Sequence, residues 1–202
     1  MANTTRIHWM SWARMGRSKH QGGLGFRDLI CFNKVLLAKQ GWRLVQNPTS
    51  LLGRILKAKY FPMSSFLEAS LGNNPSYAWK SIHSAKELLQ QGLIWRIGDG
   101  SKINIWGDRW LPTPTSHEVQ SPQSNQLSDT RVATLIDRDS KSWNMTLLQK
   151  CFNPEEVKVI SVIPLSPSLP PDRLVWIGTA NGIFSVRSAY HLGMELQERA
   201  RG

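Results

Sequence analysis

Cysteine is scarce in this sequence. Cys31 and Cys151 are the only two thiols in 202 residues, too few and too far apart to make the disulfide framework of a small secreted domain. No apolar signal segment opens the chain, so a reducing, intracellular setting, nucleus or cytoplasm, is expected. Nor is there a run approaching about 18 apolar residues, which excludes a membrane-spanning helix. The opening Met1-Ala2-Asn3-Thr4-Thr5 runs directly into Ile7-His8-Trp9, which reads as a chain begun in the middle of a longer one.

Acidic residues are scarce where they would matter most. Residues 1–110 hold 16 Lys and Arg against 5 Asp and Glu, while residues 111–202 hold 9 of each, so the whole formal charge of +11 sits in the first half. Polymerase and ribonuclease H chemistry both need clustered carboxylates to hold two metal ions about 4 Å apart. Asp28, Glu68, Glu87, Asp99 and Asp108 stand apart from one another, and Asp99, between Gly98 and Gly100, reads as a turn residue. The one adjacent acidic pair, Glu155-Glu156, follows Asn153-Pro154 and reads as the start of a helix. His8, His20, His83, His117 and His191 are scattered and pair with neither cysteine at metal-ligand spacing, so no zinc site, no other metal and no cofactor is read. Gly22-Gly23-Leu24-Gly25 lacks the spacing and the Lys-Ser/Thr ending of a phosphate-binding loop, and no nucleophile elbow is present. No catalytic residue is assigned, and no small-molecule substrate is implied.

What the sequence does hold is material for a core: 41% hydrophobic residues, including 9 Trp, well above the content of a disordered chain. The pattern predicts an α+β fold. Its first part, residues 1–110, is mainly helical: a glycine-rich turn at 22–28, a helix from Phe32 to Gln46 stopped by Asn47-Pro48, and a helix from Ser50 to Tyr60 with Leu51, Leu52, Ile55 and Leu56 on its apolar side. A third helix, capped by Ser76 and running to Leu89, buries Trp79, Ile82, Ala85, the stem of Lys86 and Leu89. A β-hairpin of 93–97 with 102–106, joined by Gly98-Asp99-Gly100-Ser101, ends this part. Residues 111–128 are rich in Pro, Ser, Thr and Gln and read as a linker. The small second part, 129–202, carries a helix after Asn153, a hairpin of 174–177 with 183–186, and a closing helix over 188–199.

The positive functional signal is the mixture of cations with aromatics. Arg14, Arg17, Lys19, Arg27, Lys34, Lys39, Arg43, Arg54, Lys57 and Lys59 lie among Trp9, Trp12, Trp42 and Tyr60. Such a mixture can follow an RNA or DNA backbone and stack on bases. A solvated basic face whose tryptophans all lie in the core is the other reading of the same residues.

The motifs themselves are familiar. Ile7-His8-Trp9, Gly22-Gly23-Leu24-Gly25-Phe26-Arg27-Asp28-Leu29, Phe32-Asn33, Leu36-Leu37-Ala38-Lys39-Gln40 and Trp42-Arg43-Leu44 closely resemble plant LINE-type (non-LTR) retrotransposon reverse-transcriptase polyproteins, and the related open reading frames of plant mitochondrial DNA. The resemblance continues through Lys57-Ala58-Lys59-Tyr60-Phe61-Pro62, Pro75-Ser76-Tyr77-Ala78-Trp79, Trp95-Arg96-Ile97-Gly98-Asp99-Gly100 and Trp106-Gly107-Asp108-Arg109-Trp110-Leu111-Pro112. Pro171-Asp172-Arg173-Leu174-Val175-Trp176 and Gly182-Ile183-Phe184-Ser185-Val186-Arg187-Ser188-Ala189-Tyr190 extend it over nearly the whole chain. It places this chain between the polymerase core and the reverse-transcriptase zinc-binding domain, into which 129–202 would lead. The paired aspartates of such polymerases lie upstream of the matching region and the Cys/His zinc ligands downstream, so the resemblance carries no catalytic or metal residue to this sequence. Gly16 stands where relatives often carry a cysteine. The implied product is a non-catalytic fragment whose basic half binds RNA or DNA weakly and without sequence preference, through Arg14, Arg17, Lys19, Lys34, Lys39, Arg43, Arg54, Lys57 and Lys59. The alternative is a fragment retained by its host for protein interaction. Oligomeric state is not legible.

Overall fold

The structure, a computed structural model, describes Met15 and residues 26–113, 116–123 and 129–200. In chain order these form α1 (Leu29–Gln46), α2 (Leu51–Tyr60), α3 (Tyr77–Ser84), α4 (Lys86–Gly92), β1 (Leu93–Arg96), a short 3-10 turn (Val132–Leu135), β2 (Ile136–Asp137), β3 (Ser142–Trp143), α5 (Met145–Cys151), α6 (Pro154–Ser161), β4 (Arg173–Trp176) and α7 (Val186–Arg199). The class is α+β, as expected. The chain divides into two compact units: one combines the described residues up to Leu89 with those from Ser185 onward, and the other is Gln90–Phe184. The division differs from the one read in the sequence, because residues 93–110 belong with the second unit and the final helix with the first.

In the first unit α1 begins where Asp28 accepts a hydrogen bond from the Cys31 amide, 2.8 Å away, satisfying one of the donors a helix start leaves open. Cys31, Val35, Ala38, Gly41 and Leu44 then fall three or four residues apart and bury one stripe. Both α3 and α7 pack on α1. The α1–α7 approach is close: a Cβ at Gly193 would come within 2.8 Å of the Cys31 Sγ, so a side chain there would push the helices apart. Ser76 caps α3 as expected, accepting from the Trp79 amide. The single helix expected up to Leu89 breaks at Ala85, and Trp79, Ile82, Ala85 and Leu89 are all buried, together with Leu88.

Burial explains the chemistry of Cys31. Desolvation pushes its thiol pKa up, the nearby Asp28 carboxylate raises it further, and Lys34 partly opposes the two; Cys151 is buried as well. Since the thiolate is the reactive form, both thiols should alkylate at least about a hundredfold more slowly in the native protein than in denaturant. Mass spectrometry after a timed pulse of iodoacetamide at neutral pH measures this. Equal rates for Cys31 in the two states would mean that the α1–α7 seam is open.

The strands of the second unit pair differently from the expected hairpins. β1 lies antiparallel to β4, with Leu93 opposite Trp176 and Arg96 opposite Arg173, and residues 103–105 instead meet 130–132. The cause is Asp172. Its buried carboxylate accepts the amides of Gly98 at 2.7 Å, Gly100 at 2.9 Å and Lys102 at 2.9 Å, so the Gly98–Ser101 loop wraps around an acid distant in sequence and does not close into a local turn. Of the second expected hairpin, the Trp176 amide bonds the Gly182 carbonyl, and the chain then turns into α7.

The segment expected as a linker is packed where it is described. Leu111 is fully buried, and Val119 and Ser121 are buried with it. The Glu156 carboxylate, itself buried, accepts the Gln120 and Ser121 amides and the Ser121 hydroxyl, which fixes residues 120–121 on α6. Polar composition suggested exposure there because a buried acid gathering backbone amides leaves no apolar signature.

Candidate nucleic-acid interface

The residues assigned to nucleic-acid contact divide three ways. Arg14, Arg17 and Lys19, like Trp9, Trp12 and the glycine run at 22–25, lie outside the described residues. Lys34 is engaged: its ammonium sits 3.1 Å from the Glu87 carboxylate. The remaining five, Lys39, Arg43, Arg54, Lys57 and Lys59, are exposed. Lys39 with Arg43 on α1, and Arg54 with Lys57 on α2, stand four and three residues apart and so project from one side of their helices. Arg43 is steadied by Gln40, 3.2 Å away, and the Lys59 ammonium lies 5.2 Å from the centre of the Tyr60 ring.

Of the aromatics counted with these cations, Tyr60 is not free to stack on bases. Tyr60 lies flat against Trp79, ring centres 4.8 Å apart, and its hydroxyl accepts the Ser76 amide. Trp79 is fully buried between Phe61, Phe66 and His83. Trp110, Trp143 and Trp176 are core as well.

On α2 the expected apolar side is corrected. Leu56 is buried as expected, but Leu51 is 73% and Ile55 55% exposed, and Gly53 and Tyr60 join Leu56 on the face that packs inward. Gly53 determines the rotation of the helix, because its Cα rests against the carbonyl of Pro48, where a side chain would collide. The exposed side of α2 therefore mixes Leu51, Leu52 and Ile55 with Arg54 and Lys59.

The motif residues of the second unit do structural work. Asp108 accepts the backbone and side-chain amides of Asn104. Arg109 donates to the Gln90 and Gln91 carbonyls at 2.6 Å, closing the end of α4; burial holds its pKa below the usual guanidinium range. Asp99 accepts from the Ser101 amide and hydroxyl, which lowers its pKa. Glu155 pairs with Lys158. Among the described residues no group of three or more His, Cys, Asp or Glu is placed to hold a metal ion, and no described helix is long and apolar enough to cross a membrane.

A feature the sequence reading missed lies at the start of α1 and α7. Arg27, Phe32, Val186, Arg187, Tyr190 and His191 line a cavity of about 640 Å³. Arg187 and His191 belong to the half whose charges cancel, so a count by halves could not bring them beside Arg27.

The chain is 49% identical over 114 residues to the "Uncharacterized mitochondrial protein AtMg00310" of Arabidopsis thaliana, a match covering 56% of this chain and 74% of that protein. It is 29% identical over 195 residues to the "Putative ribonuclease H protein At1g65750" of the same plant, covering 95% of this chain and 32% of that protein. It thus spans about a third of the length of the second relative. No protein-family model matches the chain, and no solved structure matches it.

Proposed function

We propose a nucleic-acid-holding role for this chain, which belongs to the same family as the Arabidopsis mitochondrial protein AtMg00310: a non-catalytic portion of a plant LINE-type reverse-transcriptase polyprotein that grips RNA or DNA backbone without reading sequence. The second relative is named for ribonuclease H and is about three times as long as the matched region. The chemistry of such an enzyme needs clustered carboxylates; in this chain Asp99, Asp108, Asp172, Glu155 and Glu156 are each tied to a neighbouring amide, hydroxyl or ammonium. The observation that carries the reading is the set of exposed cations on α1 and α2. Lys39, Arg54 and Lys57 form no ion pair with any described residue, and they stand in the half that holds the entire charge excess.

A polyphosphate backbone held this way releases condensed cations, so affinity should fall steeply with salt. With about six phosphates neutralised at roughly −0.7 per contact, a single strand loses about 2–3 decades between about 50 and 200 mM salt. Replacing Arg54, Lys57 and Lys59 together by Ala should make that slope shallower by about 2 and leave the melting transition in place, since all three are exposed. Anisotropy of a labelled oligonucleotide over a salt series measures both. The exposed Leu51, Leu52 and Ile55 favour a second reading, protein docking on α2; binding indifferent to salt would support it against the first.

A further inference from the structure

The cavity at the start of α1 and α7 combines two features a nucleotide unit needs. Arg27, just before α1, and Arg187, in the first turn of α7, both border it, and neither is ion-paired with a described carboxylate. His191, one turn beyond Arg187, adds a third nitrogen donor. The wall between them is aromatic: Phe32 and Tyr190 meet edge to face, ring centres 6.5 Å apart. That wall is held in place, because the Tyr190 hydroxyl accepts the Asp28 amide at 2.7 Å and the Arg27 guanidinium lies 5.4 Å from the centre of the Phe32 ring. Planar guanidiniums suit the bidentate recognition of phosphate, and a fixed aromatic wall suits an unstacked base.

We propose that this cavity is where the protein takes one phosphate and its base from a single strand, with Arg27 and Arg187 on the phosphate and Phe32 and Tyr190 against the base. The proposal rests on the nucleic-acid reading above and deepens it, since the α1 and α2 cations supply only diffuse attraction. Four features of the site are independent of that attraction: the cavity, two guanidiniums without an ion-pair partner among the described residues, the anchored tyrosine and the edge-to-face ring pair.

The test uses the full chain with a short labelled oligothymidylate. Replacing Arg27 and Arg187 together by Ala should weaken binding about tenfold and make the salt slope shallower by about 1.4, twice the single-strand value per contact. A charge-matched control, Arg138→Ala with Lys150→Ala on exposed positions of the other unit, should change affinity less than about threefold. Separately, thymidine monophosphate and inorganic phosphate are titrated into the unaltered protein while the Phe32, Tyr190 and His191 ring signals are followed by NMR. Both should move these signals, with the nucleotide binding about tenfold more tightly because only it has a base to stack. Oligonucleotide binding that drops equally in the two double variants overturns the cavity site and leaves the nucleic-acid reading standing. If the oligonucleotide does not bind but the mononucleotide moves the cavity rings, the site stands, its ligand is a free nucleotide, and the nucleic-acid reading falls. Equal affinity for phosphate and nucleotide overturns the base contact, and silence from all three ligands overturns both proposals.

Discussion

A chain stopped after Trp110 should lose its cooperative melting transition, even though it keeps every residue of the basic half. The first unit is built from two distant stretches, and the second stretch is α7. Without α7 the faces of Cys31, Val35 and Leu88 that lie against Gly193 are open to water. Fully burying one aliphatic side chain contributes about 1.5–3 kcal/mol, and a whole domain retains only about 5–15 kcal/mol. Losing three such contacts together with Ala189 therefore removes most or all of the net stability. Residues 90–110 fare no better: β1 loses β4, its only strand partner among the described residues, and Gly92 loses the Trp176 ring that packs over it. By contrast, the continuous piece 90–184 carries its own core of Ile103, Leu111, Val132, Leu135, Leu148 and Ile160 and should melt as a unit alone. Circular dichroism with temperature compares the two pieces. A sharp transition in residues 1–110 would show that α7 is dispensable and restore the boundary read near residue 111.

That boundary illustrates what a sequence exposes and what it hides. Local rules located most helices, because their signals lie within a few residues: Ser50, Ser76 and Asn153 each cap the helix they precede, and Asn47-Pro48 ends α1. Pairing was not local. Gly98-Asp99-Gly100-Ser101 has the composition of a hairpin turn, and only the arrival of Asp172 from a distant segment converts it into an amide cradle. On α2, hydrophobicity pointed to Leu51 and Ile55, yet a contact with a backbone carbonyl, possible only for Gly53, turned the helix the other way. A count of cations by halves could not bring Arg187 and His191 beside Arg27, because they come from a segment whose acids cancel their charge in any running sum.

The same long-range pairing accounts for the structural roles of the tryptophan, glycine and aspartate motifs of the second unit. Trp106 donates from its ring to the Ser121 carbonyl, Trp110 to the Ile105 carbonyl and Trp143 to the Ile163 carbonyl. Each large ring thus fills core volume and ties down a loop at once. In a unit with so little regular strand, such side-chain bonds replace the ladder that would otherwise hold extended segments.

Asp172→Ala should be among the most damaging single substitutions in that unit, lowering stability by about 3–6 kcal/mol, since the buried Gly98 and Gly100 amides and the part-buried Lys102 amide would each lose a charged acceptor. The expected sign follows from which atom accepts what. One carboxylate oxygen takes the Gly98 and Gly100 amides and the other takes Lys102. Asp172→Asn would keep the first oxygen and turn an N–H₂ toward the Lys102 amide, donor against donor, so it should cost roughly half as much. Gly98 supplies the complementary test. Its Cα lies against the Pro170 carbonyl, and even a methyl group there would occupy the position of that oxygen, so Gly98→Ala should be as damaging as Asp172→Ala by a purely steric route. Because both changes act on one cradle, the double variant should cost much less than the sum of the singles. Urea unfolding of 90–184 measures all four. Additive losses, or an Asp172→Asn variant as unstable as Asp172→Ala, would show that the carboxylate is not what organises the Gly98–Lys102 loop.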